Sequence, residues 1–322
     1  MNPALTTRDR PLIVGVGEVL WDLLPAGAEM GGAPANFAYH AHALGAMAGV
    51  VTRVGNDALG AEIVRRCQQF GFVPDAVQLD DTAPTSTVSV SLCDAGVPCY
   101  VIHENVAWDQ LAVTPAALAL VRQADAVCFG TLAQRNGTAR AAIQRLIAAA
   151  SAPTWRVLDI NLRQNFYSRV VIEQSLRLAN VLKLNDSELP ILAEMFHLGG
   201  APRQQIEALA KGFGLRLVAL TQGTQGSLLY QEGRWSQQPS LGVQVVDTVG
   251  AGDAFTAALV MGLLQESSLD DLHATAAELA AHVCAHAGAT PPPPPQIRAR
   301  FANLPNRPHQ QSSEHDVFVS AR

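Results

Sequence analysis

Asp253 follows Gly250, Ala251 and Gly252 and directly precedes Ala254–Leu264, a stretch apolar on nearly every side. A helix apolar all round is a buried one. These small residues therefore fall where a polar loop becomes the N-terminus of an embedded helix. Such an end carries unpaired backbone N–H groups and the positive pole of the helix dipole, a ready site for an anion. Two glycines and an alanine let phosphate oxygens approach the backbone. The carboxylate is the odd member. A pocket that only binds phosphate gains nothing from it, whereas one that deprotonates a hydroxyl beside a phosphate does. A capping aspartate after a glycine-rich turn is the plainer alternative.

Other groups with usable spacing lie upstream. Gly31 and Gly32 precede a helix start in which Asn36 comes one turn in, so the pair serves as a hinge or as a point of close sugar approach, and the Asn36 amide can bind hydroxyls. Asp22 sits between Trp21 and Leu23 on a mainly apolar strand, where a carboxylate takes two sugar hydroxyls or is simply an edge-strand charge. Asp159, Asn161 and Arg163 are spaced by two, so on an extended segment all three point the same way. Arg163 then clamps an anionic group, or pairs structurally with Asp159. Asn185 and Glu188 form N-x-x-E at the end of a strand, an oxygen-only pair suited to Mg²⁺ held through water and also nearly a capping box. The run Thr221-Gln222-Gly223-Thr224-Gln225-Gly226 supplies hydroxyls and glycines after another strand. His40, His42, His103, His282 and His286 show no metal spacing, and neither a dinucleotide fingerprint, a P-loop nor a nucleophile elbow is present.

These residues need a scaffold of alternating strands and helices. Buried strands are predicted over Pro11–Gly17, Ala48–Val54, Ala124–Gly130, Arg156–Ile160, Val181–Leu184 and Leu215–Leu220. Helices are predicted over Pro34–Leu44, Asp57–Phe70, Ala139–Ala150, Val170–Leu178, Asp186–Phe196, Arg203–Phe213, Ala254–Leu264 and Leu272–Ala287. The pattern implies an α/β fold, a doubly wound, mainly parallel sheet flanked by helices. Glu18–Pro25 and the hairpin Thr85–His103, turning at Asp94-Ala95-Gly96, alternate polar and apolar and do not belong to that sheet. They are expected to form a small β-sheet lid over the cleft, whose exposed face and edges suit a homodimer contact. Gly226–Tyr230 and Gly233–Gln237 read as a second hairpin.

The 322 residues are 48% hydrophobic and 16% charged, enough for one large α/β core. With 22 basic and 28 acidic residues, a net charge of −6 and no Lys/Arg run, neither nucleic acid nor an anionic membrane is an expected partner. Five scattered cysteines read as reduced core thiols. The polar N-terminus and the lack of a long apolar run point to a cytoplasmic protein. The domain is expected over residues 11–304, with a flexible tail over 305–322.

Met30–Leu44 (MGGAPANFAYHAHAL) resembles the first signature of the PfkB/ribokinase family of sugar kinases, and Asp247–Phe255 (DTVGAGDAF) resembles the second. The likeness runs from Leu12 to about Thr290. It implies a ribokinase-like fold that passes the γ-phosphoryl group of ATP to a sugar hydroxyl with Mg²⁺. By position, Asp253 is then the base, and Gly250, Ala251 and Gly252 form the anion hole. Asp22, Gly31, Gly32, Asn36 and Arg163 face the sugar. Asn185 and Glu188 are the magnesium motif, while Thr221, Gly223 and Gly226 border the nucleotide. Asp247, with Gly288, lies where some members bind a monovalent cation such as K⁺. Gly17-Glu18…Asp22, Ala107-Trp108, Gly130–Arg135 and Asp159–Arg163 resemble the fructokinase branch, and Ala33 replaces the lysine usual in ribokinases, which favours fructose over ribose. Kinases of 2-keto-3-deoxygluconate and of nucleosides share much of the pattern. A non-catalytic sugar- or nucleotide-binding regulator is the remoter alternative, opposed by the intact loop and Asp253.

Overall fold

The structure, a computed structural model, describes residues 8–24, 27–73, 76–92 and 98–302. The turn expected at residues 94–96 and the tail from 305 lie outside them. The first part of the chain runs β1 (Leu12–Val16), β2 (Leu20–Leu24), β3 (Gly27–Gly31), α1 (Ala33–Ala43), β4 (Met47–Gly55), α2 (Ala58–Gln69), β5 (Val77–Asp80), β6 (Thr87–Leu92) and β7 (Pro98–Ile102). A tight turn at Ala107–Gln110 leads to α3 (Pro115–Gln123), β8 (Ala126–Phe129), α4 (Gly137–Ala148), β9 (Trp155–Asp159), α5 (Arg169–Leu178) and β10 (Val181–Asn185). Then follow α6 (Glu188–Phe196), α7 (Pro202–Phe213), β11 (Leu217–Thr221), β12 (Ser227–Gln231), β13 (Arg234–Gln238), α8 (Ala251–Leu264), α9 (Leu269–Cys284) and α10 (Pro295–Ala299).

Nine strands form one sheet in the order β13-β12-β11-β10-β9-β8-β1-β4-β5. All neighbours are parallel except β11–β12 and β12–β13. Alternate residues of each strand feed two cores. Ile13, Ala126, Val157, Val181, Leu217 and Ala219 pack with α1, α8 and α9 on one face. Val14, Val127, Leu158, Leu182 and Val218 pack on the other with residues of α3–α7. From Ala254 to Leu264 every residue of α8 is buried, as its all-apolar sequence requires. Connections from β1 run one way to β4 and the other way to β8. The switch point of this doubly wound sheet is therefore the gap between β1 and β8, the place where such sheets bind ligands.

The second sheet has the order β3-β2-β6-β7. Its strands come from two separate excursions, joined by the parallel pairing of β2 with β6 at Trp21↔Thr87 through Leu23↔Ser89. The expected lid thus exists, with one more strand than the sequence pattern shows. The added strand is β3, over a segment whose sequence shows no alternation. It makes β2 an inner strand, so Asp22 is not an edge charge. Trp21 roots the lid, buried, with its indole N–H donating to the Leu59 carbonyl at 3.1 Å and Arg66 stacked over its ring. Leu23 and Val101 lie in one row of the outer face and are exposed. Among the described residues no helix is long and apolar enough to cross a membrane, and Cys67, Cys128 and Cys284 are free thiols, the first two buried.

Candidate active site

Gly250 caps α8 with φ +78, and Ala251 and Gly252 already belong to the first helical turn. A side chain at Gly250 would run into the Ala289 backbone, with its Cβ 2.7 Å from the Ala289 Cα. A side chain at Gly252 would sit 2.7 Å from the Lys183 ammonium. Both glycines are therefore demanded by packing as well as by the anion reading. Asp253 follows in the same turn. It is half-buried. Asn36, one turn into α1, is 5% exposed and donates its amide to Asp253 Oδ2 at 2.9 Å. Burial and the nearby Asp159 push the Asp253 carboxyl up to about 7, against the opposing pull of Asn36, Lys183 and Arg163.

Two further acidic groups stand nearby. Asp22 stands over Gly31, so close that a Cβ there would strike its carboxylate, and burial and Glu29 hold its pKa above the usual range while Arg163 lowers it. Glu18, just past the end of β1, is 3% exposed, and burial raises its pKa to about 7. Its Oε2 has no hydrogen-bond partner among the described residues. Gly32, at φ +113, lets the chain pass within reach of the Glu18 carbonyl, 2.5 Å from where a Cβ would stand. Arg163 is exposed, and its charge acts on Glu18, Asp22 and Asp253 alike. The second guanidinium nearby, Arg135, grips Asp109 at 2.8 and 2.9 Å and lies over the Trp108 and Phe166 rings, while its buried Nη1 has no hydrogen-bond partner among the described residues.

The extended reading of Asp159, Asn161 and Arg163 fails. β9 ends at Asp159, and Asn161 turns left-handed at φ +41, so the three side chains do not align. Nor does Arg163 pair with Asp159: it donates to the neighbouring Leu162 carbonyl at 3.1 Å. The partner of Asp159 is Lys183, at 3.1 Å, with both side chains buried. Thr256 Oγ1 lies 3.2 Å from the other Asp159 oxygen and 2.9 Å from the Gly252 carbonyl, so its single proton is shared between them. Burial pulls the Lys183 pKa down, but Asp159, Glu188 and Asp253 together carry it above the usual lysine value. This cation beneath the anion hole was missed, although a lysine inside the apolar strand Val181-Leu182-Lys183-Leu184 is itself a signal. Glu18 was visible in the same way, as a carboxylate directly after a buried strand.

Asn185 and Glu188 make the reciprocal cap that their spacing predicts. Asn185 Oδ1 accepts the Glu188 N–H at 3.0 Å, and Glu188 Oε2 accepts the Asn185 N–H at 2.8 Å. Glu188 Oε1 also accepts the Leu162 N–H, at 2.8 Å. The carboxylate is 2% exposed, with its pKa raised by burial and Asp159. Each oxygen keeps one lone pair, which fits a magnesium ion reached through water rather than direct ligation. The Asp247 carboxylate accepts the Val249 and Gly288 N–H groups at 3.0 and 3.2 Å. The Ala289 carbonyl accepts from His40 at 2.9 Å. Each of these oxygens accepts one bond and keeps a lone pair, as at Glu188, so the residues present can still face a monovalent cation. Beyond the α8 N-terminus lies a cavity of about 420 Å³. Thr221, Gly223 and Gly226 border it, with Leu241, Val243, Val245, Ala251, Gly252 and Cys284 around the rest. Its apolar slot runs into a helix end, a shape fit for a nucleobase with its phosphates.

The model of the pfkB family carbohydrate kinases matches residues 27–296. A fructokinase of Klebsiella pneumoniae is 30% identical over 279 residues, 82% of this chain and 88% of that protein. A sugar kinase of Pyrococcus horikoshii, solved with ATP, superposes with a TM-score of 0.72 at 26% identity, covering 90% of this chain and 98% of that one. A fructokinase of Xylella fastidiosa with bound ATP gives a TM-score of 0.79 at 23% identity, over 90% and 97% of the two chains. Their fold is the one described above. The chain belongs to the pfkB family of carbohydrate kinases, phosphotransferases that act on an alcohol group of a sugar.

Proposed function

We propose that the chain phosphorylates a small neutral sugar, fructose first among candidates, with Asp253 as the group that takes the hydroxyl proton. The observation that carries this reading is the placement of Asp253: one residue past the anion hole, held by Asn36 and only half-buried. The resemblance to fructokinases, among them the Klebsiella enzyme at 30% identity, supports fructose over other sugars. ATP, when bound, supplies the γ-phosphoryl group, and its base and ribose fill the cavity at Thr221–Gly226. The residues do the rest. The N–H groups of Ala251 and Gly252 meet the charge on the phosphoryl oxygens, and Lys183 below them adds a fixed positive charge. Glu188 would hold the magnesium ion through water, with Asn185 fixing the carboxylate through the reciprocal cap. Asp22, Asn36 and Arg163 orient the sugar. Asp253 takes its proton late, once bond formation has made it acidic. Closure of the lid keeps water from competing as acceptor. Supporting a homodimer through the lid are the exposed Leu23 and Val101 on one face; a monomer in sedimentation equilibrium would remove that part of the reading.

The test is ADP release from Mg-ATP with fructose, 2-keto-3-deoxygluconate, ribose and nucleosides, run beside Asp253→Asn. Loss of a base in this position costs kcat on the order of 10³-fold. Turnover of fructose that the variant loses supports the reading. Equal turnover by the variant removes Asp253 as the base, and preference for the sugar acid removes fructose.

A further inference from the structure

His40 is fully buried on α1, one helical turn after Asn36, so both side chains leave the helix on the same face. Asn36 reaches Asp253. His40 reaches the Ala289 carbonyl, with Nε2 to oxygen at 2.9 Å. A carbonyl can only accept, so Nε2 carries the proton and Nδ1 is bare. Nδ1 has no partner among the described residues. Burial holds the ring neutral, its pKa pushed down to about 4 against the opposing effect of the Ala289 bond. A buried acceptor left unpaired costs on the order of 1–3 kcal/mol. An apolar side chain would fill this site of the core more cheaply. The imidazole therefore has a use, and Nε2–H is the atom that has one.

What it holds is the backing of the phosphoryl loop. The Ala289 backbone is packed directly against Gly250, and Gly288 N–H bonds Asp247 at the start of that loop. Gly250 in turn sets where the N–H groups of α8 point. We propose that His40 is a positioning residue for phosphoryl transfer: its Nε2–H fastens the Gly288–Ala289 segment, and through it Gly250, to the helix that carries the sugar ligand Asn36. Sugar and anion hole are then referenced to one rigid element, α1. The proposal rests on the kinase reading only for its kinetic arm.

The test compares His40→Asn with His40→Gln. A glutamine amide nitrogen stands about where imidazole Nε2 does and can still donate, whereas that of asparagine stops near Nδ1 and cannot reach. A misplacement of about 1 Å costs on the order of 10²-fold, so His40→Asn should lower kcat about 10- to 100-fold with the sugar KM within about 3-fold, and His40→Gln should recover most of it. Hydrogen–deuterium exchange reads the same effect without turnover. Amides of residues 247–253 should exchange faster in His40→Asn and return to wild-type protection in His40→Gln. If Asn and Gln behave alike in kcat and in exchange, or if His40→Asn leaves both unchanged, the proposal is wrong. If wild type turns over no sugar, the kinase reading fails by itself, and exchange still decides the role of His40.

Discussion

At the acceptor end of the cleft the working groups are charged and short of solvent: Glu18, Asp22 and Asp253 share the field of one exposed guanidinium, Arg163. At the donor end they are small or aliphatic. Gly223 and Gly226 border the cavity, and the loop beyond carries exposed Leu241, Val243, Val245, Val246 and Val249. The first end is preorganised, each carboxylate placed by a strand or a helix turn and raised in pKa by its surroundings. The second offers backbone and apolar surface, which tolerate change. Errors should therefore be costly where the ends meet, moderate among the carboxylates and mild in the aliphatic loop.

The largest effect is expected at the junction. Gly250→Ala puts a side chain on a φ of +78 and into the Ala289 backbone. A left-handed non-glycine residue costs about 1–2 kcal/mol before any clash, so thermal unfolding should shift down, and kcat should fall roughly 10²-fold as the anion hole moves. Wild-type kcat in that variant would show that the hole is not where the chemistry happens. The acceptor end is tested by pH. Asp253 accepts a proton only when ionised, and with its pKa raised to about 7 the limb of kcat/KM should climb through neutrality rather than near 4. Glu18 and Asp253 each disfavour ionisation of the other, so Glu18→Gln should move that limb to lower pH. A limb that stays put separates Glu18 from the site. The smallest effect belongs to the donor end. Val245→Ser should raise the KM for ATP only about 5-fold, since one aliphatic contact is worth about 1 kcal/mol, and kcat should hold. A large fall in kcat there would erase the contrast between the ends.

Much of this was legible in the sequence because the signals were local. An all-apolar helix behind a small-residue loop has one place to go, and N-x-x-E closes on itself through backbone N–H groups a few ångströms away. The losses were non-local. Gly27-Ala28-Glu29-Met30-Gly31 has no alternation and two glycines, and it is a strand because β2 pairs with all five residues. The Asp159–Lys183 pair joins neighbouring strands 24 residues apart, and Asn161 leaves the extended line through a backbone angle that its side chain does not announce. His40 was set aside because no metal partner stood at the right spacing; its partner is a carbonyl 249 residues away.

The lid's two-part origin has a mechanical consequence. One excursion leaves the main sheet after Val16 and returns at Gly32; the other leaves after Asp80 and returns near Val106, where Arg135 pins the His103 carbonyl and Asp109. A panel fixed at one point can swing in any direction. Fixed at two separated points, it turns only about the line between them, as a door does on two hinges. Any closure over the cleft would then follow a single arc, carrying Asp22, mounted on the inner strand β2, along it.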